Sequence, residues 1–392
     1  MKNIFKAAMF TPGHTIRFEG KKTIKWGLNL AFVGNPGVGK TRMAMDWTEE
    51  FGLHSELIIS SIKDPTEFGG LPVPTEDGTL KYIPGPKIMN LINSGHGVGL
   101  LDEFNTSAPA VQAAELTMVQ DNLAGDIEIP GGIRWVVMMN PTEIAANGHD
   151  LSPPMANRFG WITWNPTNAS DWCSWLMGMG GKELNDNSKL NAAEEEKRVL
   201  ANWTKPFAMA RGLISAFIKA NPGKLFVMPQ ALDPKASKAW PSPRSWENAT
   251  RAMASANVHG LEQVERETFI SAFVGTAAAN ELFTFQEKQD LPDPELLLTG
   301  KIPFKLDKKR IDRMYAIFNA CTAFVTASET KNKKDMAEAL WGFCEEAMDR
   351  PDLIMDPAST LANEKLIVGK SARNVLKKIN PVLVSTGVIP GA

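Results

Sequence analysis

The stretch GNPGVGKT fills residues 34–41, directly after the apolar run LNLAFV at 28–33. It fits the spacing G-x-x-x-x-G-K-[ST], with Gly34, Gly39, Lys40 and Thr41 at the fixed positions. Such a loop turns successive backbone N–H groups inward to hold phosphate oxygens. Glycine supplies the positive φ and the clearance that this requires. The loop then opens a helix, here read from TRMAMDWTEEF, whose N-terminal amides and dipole favour an anion. The whole segment Gly34, Asn35, Pro36, Gly37, Val38, Gly39, Lys40, Thr41 and Arg42 is therefore a candidate nucleotide cradle. Lys40 would reach the β- and γ-phosphates, and the Thr41 hydroxyl would ligate Mg²⁺.

Around this loop, short apolar runs alternate with helical patterns. LNLAFV (28–33), ELIIS (56–60), GVGLL (97–101), RWVVMM (134–139) and GWITW (160–164) read as strands. Most are nearly continuous apolar runs, as in parallel strands covered on both faces. Between the third and fourth, Val111, Ala114 and Met118 share one helical face. The pattern predicts an α/β fold: a P-loop core with a five-stranded parallel sheet, followed by a helical lid and a helical C-terminal extension. The divisions fall at 1–165 for the core, 166–289 for the lid and 290–392 for the extension, where Met336, Leu340, Phe343 and Ala347 form one stripe.

Further polar residues stand where α/β proteins bind ligands. GVGLLDEFN is an apolar strand ending in Asp102 and Glu103. Asp102 would hold Mg²⁺ through water, and Glu103 would orient the attacking water. RWVVMMNP ends in Asn140, an amide that can hydrogen-bond both phosphate and water. Arg158 precedes the last strand, and Arg244 falls in the first turn of a helix, where the dipole disfavours a cation.

The bulk numbers narrow the classes. Net charge is −2, so a protein devoted to gripping phosphate backbone is not favoured. Three widely spaced cysteines, Cys173, Cys321 and Cys344, offer no metal-ligand pair and read as buried free thiols. The N-terminal apolar patch is too short for a signal core or a membrane span, so a soluble cytoplasmic protein is expected.

Taken in order, these motifs resemble those of an AAA+ ATPase, and more narrowly of the MoxR-like group, over about residues 30–285. DPTEFGGLPVPTEDGTLKYIPGPKI (64–88) looks like that group's insert between the second and third strands. The resemblance implies Walker A for Gly34–Thr41, Walker B for Asp102 and Glu103, and sensor 1 for Asn140. It implies an arginine finger for Arg158, reaching a neighbouring subunit's ATP, and sensor 2, on the lid, for Arg244. ATP and Mg²⁺ would be the cofactors, and a homo-oligomeric ring, commonly a hexamer, the assembly. A client protein would be remodelled, with a von Willebrand A domain protein as adaptor and the insert lining the pore or facing the client. Asn157 stands before Arg158, where the family has an acidic residue. The usual Gly-Gln adenine motif is absent, leaving PGHTIRFEG (12–20) in its place. Two rivals remain: a nucleic-acid motor with a channel built from Lys63, Lys81 and Lys87, and an assembly that uses nucleotide only as a switch.

Overall fold

A computed structural model of the 392-residue chain describes residues 1–145, 148, 150–165, 168–177, 189–230, 233, 238–328 and 332–385. Eleven strands occur among them: β1 Pro12–Phe18, β2 Lys21–Trp26, β3 Leu30–Val33, β4 His54–Ile59, β5 Leu71–Pro74, β6 Leu80–Ile83, β7 His96–Asp102, β8 Leu123–Ala124, β9 Ile127–Glu128, β10 Gly132–Met139 and β11 Gly160–Thr163. The five expected core strands are β3, β4, β7, β10 and β11. They form one parallel sheet in the order β11-β3-β10-β7-β4, with the glycine-rich loop leaving the end of β3. This is the P-loop α/β architecture anticipated from the strand patterns.

The continuous apolar strands are explained by cover on both faces. On one side Ala31, Leu101, Val137 and Met139 pack with Val111, Met118 and Val119 of the helix Pro109–Asp121. On the other, Phe32 meets Phe5 of the helix Lys2–Met9 at 5.8 Å between ring centroids and Trp164 at 5.0 Å. That N-terminal helix carried no motif, yet Ile4, Phe5, Ala7, Ala8 and Met9 are all buried. The segment 12–20, left open as an adenine contact, is β1 with the turn into β2, and the two strands pair as an antiparallel hairpin.

One charge lies inside this packing. Arg134 of β10 is fully buried, donating from Nε to Met9 O at 2.9 Å and from its other nitrogens to Gly132 O and Glu196. The rings of Phe10 and Trp26 lie 5.6 Å and 5.9 Å from its guanidinium carbon. Burial lowers the Arg134 pKa, and Glu196 opposes that shift. Removing one partner of such a pair strands a buried charge, so the cluster ties the N-terminal helix and the helix Ala192–Ala201 to the sheet.

The chain divides into two compact units: Met1–Leu200 with Val227–Thr276, and Ala201–Phe226 with Ala277–Ala392. The expected boundaries at 165 and 289 are not where the units part, and the segment 166–289 is shared between them. The stretch VERETFISAFVGTAAANELFTFQ (264–286) is not one continuous helix. The chain instead forms Gln263–Val274 and Thr276–Gln289, broken at Gly275 with φ +79°. In the second unit the helices Thr204–Ala220 and Ile311–Ala327 cross closely at Gly212. A Cβ there would lie 2.7 Å from the Ala320 Cβ. The stripe Met336, Leu340 and Ala347 is buried there, with Phe343 packed against it. Cys321 and Cys344 are buried, and burial raises both thiol pKa values, that of Cys344 to about 12; Cys173 is exposed, against expectation. No helix among the described residues is long and apolar enough to cross a membrane.

The insert 64–88 is a short helix Thr66–Gly69 and the hairpin β5–β6, leading into the helix Pro86–Ser94. Pro72 faces Tyr82, and Pro74 faces Leu80, across the hairpin. Leu71, Val73, Leu80 and Tyr82 are all exposed. A second hairpin, β8–β9, is clasped to it: Asp126 accepts from the Tyr82 N–H at 2.8 Å and donates its own N–H to Tyr82 O at 3.0 Å.

Within the sheet, Gly99 lies opposite Trp135, and a Cβ at 99 would stand 2.2 Å from the indole ring. Gly99→Ala must displace a buried tryptophan. It should lower stability by about 1–3 kcal/mol, read as a lower urea midpoint of unfolding.

Candidate active site

The register of the sheet brings the motifs together. Val33 pairs with Met139, Val137 with Leu101, and Ile59 with Asp102. Gly34, Asn140, Glu103 and Ser60 therefore leave adjacent strands at the same edge, the carboxyl ends where α/β sheets bind ligands. The loop after β3 has Gly37 at φ +77° and Gly39 at φ +83°, both in the left-handed region. Gly34 has a different role: a Cβ there would approach Trp164 O to 2.5 Å. The helix Lys40–Glu50 follows with Gly39 as its N-cap and no side-chain cap, so its first amides carry no side-chain acceptor.

Lys40 is buried, and its Nζ donates to Gly34 O at 2.7 Å, Asn35 O at 2.9 Å and Asn140 Oδ1 at 3.0 Å. Burial lowers its pKa, with Asp102 acting in the opposite direction. Thr41 Oγ1 donates to Asp102 Oδ2 at 2.6 Å. A hydroxyl and a carboxylate side by side are the hard oxygen donors that Mg²⁺ takes, with water and phosphate completing its shell. The positive-φ glycines, the lysine and this oxygen pair fit a magnesium–nucleotide complex.

Glu103 is held in an unusual posture. Its φ of +56° lies in the left-handed region, a cost of about 1–3 kcal/mol for a non-glycine residue. The posture is supported by its N–H donating to Asp102 Oδ1 at 2.8 Å, and by Thr106 donating to Glu103 O through N–H and Oγ1 at 3.1 Å and 2.9 Å. Its carboxylate is exposed and accepts a hydrogen bond from Ser61 Oγ. Behind Asn140, the buried Asn105 donates from Nδ2 to Asn140 O at 2.9 Å. Ser61 and Asn105 had no signal in the sequence, since neither belongs to a motif and both look like ordinary turn residues.

Arg42 is exposed and pairs with Asp46 at 3.0 Å along its own helix. Arg158 and Arg244 line one cavity of about 270 Å³, together with Lys25, Arg251, His14 and Asp121. None of residues 34–41 lines that cavity, so the structure places Arg244 beside Arg158 and not in the glycine-loop crevice. Burial and the nearby charge of Arg244 lower the Arg158 pKa, while Asp121 raises it. Lys25, its Nζ donating to Val119 O at 2.7 Å, is brought down to about 8 by burial, with Asp121 opposing. The cavity therefore gathers four basic residues against Asp121 and Glu247, the latter paired with Arg251 at 3.0 Å. Of the lysines proposed for a nucleic-acid channel, Lys63 pairs with Glu67 at 3.0 Å and Lys87 donates to Leu57 O, while Lys81 is exposed. Trp164 packs in the core and Trp172 is exposed; the side chain of Trp175 lies outside the described residues.

No family model matches the chain, and no curated protein does. Among solved structures it resembles one from Cytophaga hutchinsonii described as a "putative ATPase", at 17% identity and a TM-score of 0.44, covering 66% of this chain and 84% of that one.

Next to Ser61 in the chain, Ser60 holds a second carboxyl. Glu115 is fully buried, accepts from Ser60 Oγ at 2.6 Å, and is raised to about 8 by burial, the serine bond opposing. Its folded pKa exceeds the unfolded value near 4.5, so folding takes up a proton between those values. The cost of burying Glu115 in its charged form is absent below pH 4.5 and grows as pH rises towards 8. Glu115→Gln should accordingly raise the melting temperature at pH 8 and change it little at pH 4.5, with the gain growing between the two.

Proposed function

We propose that the chain is an ATP-hydrolysing AAA+ machine of MoxR-like type. The observation that carries this is the convergence of Lys40, Thr41, Asp102, Glu103 and Asn140 at the ends of three adjacent parallel strands. Bound Mg²⁺ would supply charge to offset the transferring phosphoryl group. Lys40 binds the β- and γ-phosphate oxygens in place of the loop carbonyls. Thr41 and Asp102 would hold the metal. Glu103 accepts a hydrogen bond from the attacking water and orients it, while the Asn140 amide bonds phosphate and water from the other side. Ser61 donates to Glu103 Oε2 and so orients the carboxylate, which keeps Oε1 to accept from the water.

Arg158 and Arg244 are read as acting together on a neighbouring subunit's nucleotide, within a homo-oligomeric ring, commonly a hexamer. What supports this is their shared cavity, separate from the chain's own glycine loop. Client remodelling follows from the same reading. The exposed apolar hairpin β5–β6 is the surface offered to a client, or to a von Willebrand A domain adaptor.

Steady-state ATP turnover against protein concentration tests the reading. Specific activity should rise with concentration as subunits assemble. Glu103→Gln should bind nucleotide normally and lose at least about a hundredfold in turnover. Arg158→Ala should lose about 10³–10⁵-fold, the usual worth of an arginine supplied across an interface. Full activity in Arg158→Ala would remove the shared-site mechanism. Absence of turnover in the unaltered chain would favour a nucleotide-gated assembly.

A further inference from the structure

Asn157 lies between the short helix Pro153–Ala156 and Arg158, and only 5% of it is exposed. Its Nδ2 donates to Trp240 O at 2.9 Å, and its Oδ1 accepts from Ser242 Oγ at 2.5 Å. A main-chain carbonyl can only accept, so the amide nitrogen must face Trp240 and the orientation is fixed by chemistry. Ser242 is in turn the N-cap of the helix Pro243–Val258. Its Oγ accepts from the Ser245 N–H at 3.1 Å, and its own N–H donates to Ser245 Oγ at 2.7 Å. Arg244 stands two residues beyond Ser242. One buried amide thus joins the segment that bears Arg158 to the cap turn that bears Arg244, and both arginines line the same cavity. Two guanidinium groups repel each other, so their juxtaposition has to be enforced by neighbouring structure.

We infer that Asn157 is a positioning residue that sets Arg158 and Arg244 as a pair, and that the site requires an amide there rather than an acid. This rests on the reading that the pair serves a neighbour's nucleotide. A carboxylate at 157 would set an acceptor against the Trp240 carbonyl and leave two buried acceptors without a proton between them. It would also offset positive charge that the pair needs for phosphate. The absence of the family's acidic residue is, on this view, the counterpart of the Ser242 cap.

Mixed-subunit turnover tests the inference. Asn157→Asp is assayed alone and in equal mixture with Glu103→Gln, and Arg158→Ala mixed with Glu103→Gln serves as the reference. Asn157→Asp alone should lose about tenfold to a hundredfold in kcat, the scale of a misplaced catalytic group, with its own nucleotide affinity unchanged. Mixing should restore activity, because the intact arginines of Glu103→Gln chains then face the intact crevices of Asn157→Asp chains. Ser242→Asp keeps an acceptor for the Ser245 N–H but brings no proton to Asn157 Oδ1, so it should behave in the same way. Full activity of Asn157→Asp alone overturns the inference. So does a loss that mixing does not restore while the reference is restored, or failure of both variants to fold. A reference that stays inactive on mixing overturns the shared-site reading instead, and the inference falls with it.

Discussion

The parallel register of β3, β7 and β10 is the constraint on which the candidate site depends. Each strand delivers one polar group to the same edge: the loop opening at Gly34 from β3, the Asp102–Glu103 pair from β7, and Asn140 from β10. A slip of one residue in any pairing would turn that strand's buried side chains to the opposite face and withdraw its polar end. The register is held by side chains of different sizes on the two faces: Phe32 among aromatic rings on one, Ala31 and Val33 against the helices on the other. The chemistry at the edge and the packing within the sheet are one requirement.

Buried charge is the second theme. Lys40, Arg134 and Glu115 are each removed from water, and each is handled differently. Lys40 meets three oxygen acceptors, two of them main-chain carbonyls that a phosphate can replace. Arg134 has a carboxylate partner and spends its other donors on carbonyls, so it serves as a rivet. Glu115 has only a serine, and burial keeps its proton on near neutral pH. The first arrangement is exchangeable, the second permanent, and the third sensitive to pH.

The motif-bearing part of the chain was the most legible. All five core strands and the helix after the glycine loop follow from continuous apolar runs and one tightly spaced motif, because these are local patterns. The spacing also located Lys40, Thr41, Asp102 and Asn140, which the fold brings within hydrogen-bond reach. What could not be read was non-local. RWVVMM reads as an apolar strand opened by an arginine, and nothing in it marks Arg134 as a buried charge that Glu196 meets 62 residues later. Ser61 lies beside Glu103 only because β4 neighbours β7. Arg244 was assigned by its place in a helix turn, but the turn that bears it is tied to the Arg158 segment by the hydrogen bond between Ser242 and Asn157, 85 residues apart in the chain. The unit boundaries were missed for the same reason. The helix Thr204–Ala220 leaves its sequence neighbours to pack on Ile311–Ala327, and no composition shift announces it.

The prolines of β5 have a bearing on the molecule's behaviour at high concentration. In an antiparallel pair, residues opposite one another alternate between sharing and not sharing main-chain hydrogen bonds. Proline has no N–H, so Pro72 and Pro74 fall at the unshared positions, where the main chain points outward. The outer margin of β5 therefore offers carbonyls and no donors at these points, and the outward groups of Tyr82 on β6 are spent on Asp126. A strand from another molecule finds no complementary ladder to extend. The hairpin can display Leu71, Val73, Leu80 and Tyr82 in water without seeding a continuous cross-molecular sheet, and whatever grips it has to do so through side chains.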